Sequence, residues 1–203
     1  MRFLPLLGIL LLIGSAFFWR PWLQYRRYGT WGVILFRTGG WGQRLRDATL
    51  VAFTIVVLAQ AVVAAAWPER ISPLFNGGIA AQAAGIACLF GGVVFVVFAQ
   101  LQMGASWRIG IDEREAPGLV TSGIFRFCRN PIYLAMMIVV TGYALLLPTL
   151  LSLVLLAGTI IGMSTQARTE EAYLLRTYGE GFLEYARRVG RFLPGMGKLR
   201  DRQ

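Results

Sequence analysis

Ile132–Ala167 is a run of 36 consecutive residues with no Asp, Glu, Lys or Arg. As one α-helix it would be about 54 Å long, far more than the roughly 30 Å of a bilayer's hydrocarbon core. The run is therefore expected to fold back on itself. Pro148, between YALLL and TLLSL, marks the turn, because proline cannot continue a helical hydrogen-bond ladder. Two short antiparallel legs follow, 132–147 and 149–167. Both ends then return to one membrane face. Arg129-Asn130-Pro131 comes to lie beside Arg168-Thr169-Glu170-Glu171, although the two groups are about 40 residues apart in the chain.

Three more uncharged blocks precede this one: Phe3–Trp19, Ala48–Trp67 and Ile79–Leu101, of 17, 20 and 23 residues. The 203-residue chain is 56% hydrophobic, well above a soluble domain. The expected fold is an all-α membrane protein of about five transmembrane helices. The last two form a tight hairpin, and a helical tail follows. Residues 1–101 form a membrane region of three spans. Residues 102–203 hold a glycine-rich loop, the hairpin and the tail. GVILF at 32–36 is apolar but too short to cross.

Charge sets the sidedness. The net charge of +10 would suggest nucleic acid in a soluble protein, but here 18 of the 20 Lys and Arg fall in segments 20–46, 102–131 and the tail from Arg168. With five spans these share a side. The positive-inside rule then places the N-terminus outside and the tail in the cytoplasm. LLIGSA before Phe17 has the look of a signal-peptide end, but cleavage there would put the arginine-rich first loop outside. The six tryptophans flank spans or lie in these loops, as interfacial aromatics do.

The chain has no histidine, which excludes imidazole acid–base chemistry and most zinc sites. Cys88 and Cys128 have neither disulfide nor metal spacing. No charge lies inside a span, so a transporter is disfavoured. A polar cluster at one mouth of the helices is expensive there and points to a site. In that cluster Arg129 alone reads as an interfacial anchor, Asn130 as an N-cap and Pro131 as the first helical residue. GTIIG at Gly158–Gly162 is a GxxxG pattern that would let the second leg pack closely on a neighbour. In the tail, RTEEAYLLRTYG reads as a helix closed by Gly179. Beyond it, Tyr178, Phe182, Tyr185 and Val189 share one helical face, either lying on the membrane or roofing the hairpin's mouth.

GLVTSGIFRFCRNPIYLAMM, a hairpin, then RTEEAYLLRTYGEGFLEYARRVGRFLPG resembles the isoprenylcysteine carboxyl methyltransferase family and its relatives, the phospholipid N-methyltransferases. The likeness covers roughly 100–195. Its motifs occur in order: L-V-T-x-G, R-[HN]-P-x-Y, E-E, a spaced G and Y, and R-x-x-P. It implies S-adenosylmethionine as cofactor and a lipidic or prenylated substrate entering from the bilayer, with no nucleic acid and no metal. Carried over by position, the cofactor would be held by Leu119, Val120, Thr121, Asn130, Pro131, Tyr133, Glu170, Glu171 and Tyr185. Arg168 would be the catalytic arginine. Many relatives have His where Asn130 stands; asparagine donates and accepts hydrogen bonds but does not titrate.

The implied chemistry suits a chain without histidine. The cofactor brings its own activated group, and a carboxylate acceptor is already ionised at neutral pH. The protein has only to align the two and exclude water. The expected activity is therefore O-methylation of an isoprenylcysteine-like carboxylate. The alternatives are N-methylation of a phospholipid amine, or a non-enzymatic membrane scaffold of the same fold.

Overall fold

The computed structural model describes residues 1–36, 40–110 and 118–199. Expectations that touch 37–39, 111–117 and 200–203, including the middle of the glycine-rich loop, lie outside the described residues. Seven α-helices are present among the described residues: α1 Leu4–Ile13, α2 Arg20–Tyr28, α3 Trp41–Ala66, α4 Gly78–Gln102, α5 Pro131–Leu146, α6 Leu150–Tyr178 and α7 Glu180–Arg188. There are no strands among the described residues, only isolated bridges at Val33–Ile109 and Cys128–Gly190.

Four helical stretches are long and apolar enough to cross a membrane: Leu4–Tyr28, Trp41–Ala66, Gly78–Gln102 and Leu150–Tyr178. The chain is a multi-pass integral membrane protein. The first stretch is longer than its uncharged block. α1 passes through a π-helical turn, Gly14–Trp19, straight into α2. Pro21 lacks the N–H that a regular helix would need there, and the π turn absorbs the defect. Arg20, expected at the start of a loop, is instead buried in this helix. It donates to Gln24, to the Gly104 carbonyl and to the Gln100 carbonyl, and stacks on Trp107.

The fold-back is present. α5 and α6 are joined at Leu147–Thr149 and pack against each other. At 16 residues α5 is about 24 Å long, short of a full hydrocarbon core. The turn is held by polar groups. Thr149 caps α6 by accepting from the Ser152 N–H, and Gln60 on α3 donates to Thr149 at 2.6 Å and to Ser152 at 3.1 Å. Tyr143 donates in turn to Gln60. The Leu74 N–H bonds the Pro148 carbonyl at 2.7 Å.

The closest helix contact is not where the GxxxG pattern suggested. A Cβ on Gly162 would meet nothing within 4 Å, and one on Gly158 only Phe53 at 3.9 Å. The close approach is between α4 and α5. There a Cβ on Gly142 would lie 2.3 Å from the Leu89 backbone nitrogen, and one on Gly92 would lie 3.0 Å from the Val139 nitrogen. These helices touch backbone to backbone, the packing that small residues permit in membranes.

α6 also runs unbroken through Arg168 to Tyr178, so the expected junction between hairpin and tail is continuous helix. Glu170 and Glu171 on it meet Tyr133 and Asn130 at the start of α5, and its last turns pack against α7. Gly179, with φ 54°, then turns the chain into α7.

Candidate active site

The mouth of the hairpin is organised around Glu171. This carboxylate is buried on α6 and accepts hydrogen bonds from three side chains. Arg129 donates to it through Nε at 3.1 Å and Nη2 at 2.9 Å, Asn130 through Nδ2 at 3.1 Å, and Arg191 through Nε and Nη2, the shortest at 2.7 Å. The Arg129–Glu171 pair is nearly sealed, with side chains 2% and 6% exposed. The rest of the Arg129 guanidinium bonds the carbonyls of Ala186, Val189 and Gly197 in the tail, so all five of its N–H groups have acceptors. Arg129 is thus a buried hub rather than an interfacial anchor.

Backbone bonds complete the join. The Arg129 and Asn130 N–H groups donate to the Gly190 and Arg191 carbonyls at 2.9 and 3.0 Å. The hydrogen bond to Glu171, against some desolvation, holds the Arg191 guanidinium above its usual pKa. Burial pushes the Cys128 thiol up to about 11 despite the neighbouring Asn130 backbone and Arg129 charge. Burial likewise raises the Tyr185 phenol, which donates to the Phe125 carbonyl at 2.6 Å.

Two cavities meet here. The smaller, about 120 Å³, is the more polar of the two, hence the polar cavity below, and lies under α7. The larger, about 550 Å³, is mainly apolar and runs between α1, α3, α5 and α6. They share a wall that includes Arg108, Arg129, Asn130, Tyr133, Gln166 and Glu170. On that wall the Tyr133 hydroxyl donates to Glu170 Oε2 at 2.9 Å.

The residues expected at a cofactor site divide accordingly. Leu119, Val120, Asn130, Tyr133, Glu170, Glu171 and Tyr185 line the polar cavity. Pro131 opens α5 and lines the apolar one. Thr121 and Arg168 are exposed and line neither. Asn130 occupies the N-cap position, but its side chain makes no cap bond and turns to Glu171 instead. Phe182, on the tail's apolar face, packs with Tyr185 in the roof. Sequence reasoning gave no role to Arg108, Gln166 or Arg191. Of these only Arg191 left a trace, as the first residue of R-x-x-P.

The polar cavity offers the groups that S-adenosylmethionine would need. Asn130 Oδ1 has no partner among the described residues, because the amide nitrogen is the atom turned to Glu171. Glu170 places a carboxylate at the shared wall, suited to a sulfonium or a hydroxyl. Phe125, Tyr173 and Phe182 supply aromatic surface. The volume is below the roughly 300–1,000 Å³ of typical small-molecule sites. A nucleoside-sized group would therefore widen it or extend into the adjoining cavity.

Helices of membrane length enclosing two cavities of contrasting polarity, joined at one wall, define a multi-pass membrane protein with adjoining sites of different chemistry. The chain belongs to the phospholipid methyltransferase family, whose pattern matches residues 80–181, and its motifs fit the isoprenylcysteine carboxyl methyltransferase-like branch of such membrane enzymes. It is also similar to the cobalt-zinc-cadmium resistance protein CzcN of Cupriavidus metallidurans, at 31% identity over 100 residues. That likeness covers 48% of this chain and 46% of CzcN, so the chain spans less than half the length of that relative.

Proposed function

We propose that this protein is an integral membrane S-adenosylmethionine-dependent methyltransferase whose polar cavity takes the cofactor and whose apolar cavity takes the hydrocarbon part of a lipidic acceptor. One observation carries the reading: Asn130, Tyr133, Gln166 and Glu170 line both cavities, so a donor in one and an acceptor in the other would meet at a common wall. When bound, the cofactor supplies a methyl group on a sulfonium, which an acceptor oxygen or nitrogen takes in one displacement that leaves a neutral thioether.

The chain's own part is alignment and exclusion of water. Asn130 Oδ1 accepts from a donor group of the cofactor. Glu170, steadied by Tyr133, faces its positive charge. Arg108, on the shared wall, carries the charge that orients an acceptor carboxylate. We therefore favour an isoprenylcysteine-like carboxylate as acceptor. With an amine acceptor, the phospholipid reading, Glu170 would have to take up the released proton. The distribution of basic residues supports a cytoplasmic tail and an external N-terminus.

Calorimetric titration of the detergent-purified protein with S-adenosylhomocysteine tests the cofactor assignment. Absence of binding would return the protein to the scaffold reading. A labelled-methyl assay comparing farnesylcysteine analogues with phosphatidylethanolamine, scored for base-labile product, separates the two acceptors.

A further inference from the structure

We propose that Glu171 is a positioning residue that acts through Asn130. It fixes the amide so that Oδ1 is presented to the polar cavity as a hydrogen-bond acceptor for an N–H or O–H of the ligand. For the ligand's identity this rests on the methyltransferase reading. The positioning itself is a property of the chain.

The geometry leaves Glu171 little else to do. A carboxylate has about four acceptor sites. Here Oε1 meets Arg129 Nε and Nη2, Asn130 Nδ2 and Arg191 Nε, while Oε2 meets Arg191 Nε and Nη2. Both oxygens are engaged, with nothing spare for a ribose hydroxyl. Arg129 and Arg191 have no acceptor to offer, so toward both of them the carboxylate is the acceptor. Its neighbour in Asn130 must then be the amide nitrogen, which settles the orientation of a group whose two ends are otherwise nearly equivalent. The Arg191 carbonyl, 3.4 Å from the same nitrogen, agrees with that orientation. The residue is 8% exposed and lines both cavities, and its remaining oxygen, without a partner among the described residues, is not one of the sealed polar atoms, which leaves it open to that space.

Glu171 holds a second element at the same time. Through Arg191 it pins the loop after α7, and through Arg129 the carbonyls of Ala186, Val189 and Gly197. The roof residues Phe182 and Tyr185 lie on the helix that ends in this loop. Acceptor and roof are therefore set by one carboxylate on a neighbouring helix.

The test has two arms. In hydrogen–deuterium exchange on the detergent-purified protein without ligand, Glu171→Gln is expected to speed exchange at 128–130 and 186–199 and leave 85–99 unchanged. Unchanged protection at 128–130 and 186–199 overturns the proposal. In calorimetry with S-adenosylhomocysteine, Glu171→Gln and Asn130→Ala are each expected to weaken binding about tenfold, and the double variant no more than the worse single, because coupled residues are not additive. Losses that multiply overturn it. Asn130→His, whose neutral ring donates with one nitrogen and accepts with the other, is expected to retain affinity, while Asn130→Asp does not. Equal loss in both also counts against the proposal. If the wild type binds no S-adenosylhomocysteine, the methyltransferase reading fails and the exchange arm alone decides. Should Glu171→Gln not fold, Arg191→Gln carries the same exchange test, since that arginine's side chain is the more exposed partner at 21%.

Discussion

The two cavities are built from different parts of the chain. Every residue lining the polar cavity falls between Met103 and Tyr185, nearly all within the family match. The apolar cavity draws much of its wall from α1 and α3, among them Ile9, Ile13, Leu50, Phe53 and Val57, all outside that match. The polar side is held by directional bonds in which a misplaced atom leaves a buried charge or amide unpaired. The apolar side is held by shape alone, and many sequences satisfy shape. The contrast teaches that the part of the chain inside the family match frames the smaller, more polar cavity, while much of the larger one is framed by helices outside it.

Four variants would break or sharpen that contrast. Arg129→Met has the largest expected effect. It removes a donor from each of three tail carbonyls and two from Glu171, and removing one partner of a buried ion pair costs about 3–5 kcal/mol. Thermal unfolding in detergent measures this, and a shift no larger than that of a surface variant would show the hub to be dispensable. Glu170→Ala removes the charge and the Tyr133 partner from the shared wall. It is expected to weaken S-adenosylhomocysteine binding about tenfold, or roughly 1.4 kcal/mol, by calorimetry.

The double variant Gly158→Leu/Gly162→Leu puts bulk into the apolar cavity alone. Transfer to a lipid acceptor is expected to fall about fivefold, while S-adenosylhomocysteine affinity stays within about twofold, a split that separates acceptor from cofactor binding. Loss of both together would mean the cavities are not functionally distinct. Smallest is Arg168→Ala. The side chain is exposed and lines neither cavity, so turnover is expected within about twofold of wild type, as for most surface changes. A collapse in turnover would restore the catalytic role that the motif resemblance implies.

The fold-back was legible because length left no alternative: an uncharged run of 36 residues cannot cross once, and Pro148 marks where it turns. The gathering of Asn130, Tyr133 and the acidic pair followed from it. Which of Glu170 and Glu171 faces the cavity freely was not legible. Adjacent helical residues point about 100° apart, and the direction depends on how α6 is rotated against α5. Arg129 was misread because an arginine before an apolar run commonly anchors at the interface; its real acceptors are tail carbonyls some 60 residues away. The apolar cavity left no local signature, since its wall is assembled from a few ordinary side chains of each of four helices. Gly158 and Gly162 fit that picture: their missing side chains leave space for the cavity rather than for a partner helix.

The glycine seam between α4 and α5 has a mechanical consequence. With Gly142 against the Leu89 backbone, no side chain stands between the helices at that point to change rotamer and give way. α4 and α5 therefore behave as a stiff spar that carries Asn130 and Tyr133. Widening of the larger cavity would have to come from the opposite bank, where α3 and α6, tied through Gln60 at the turn, border open volume.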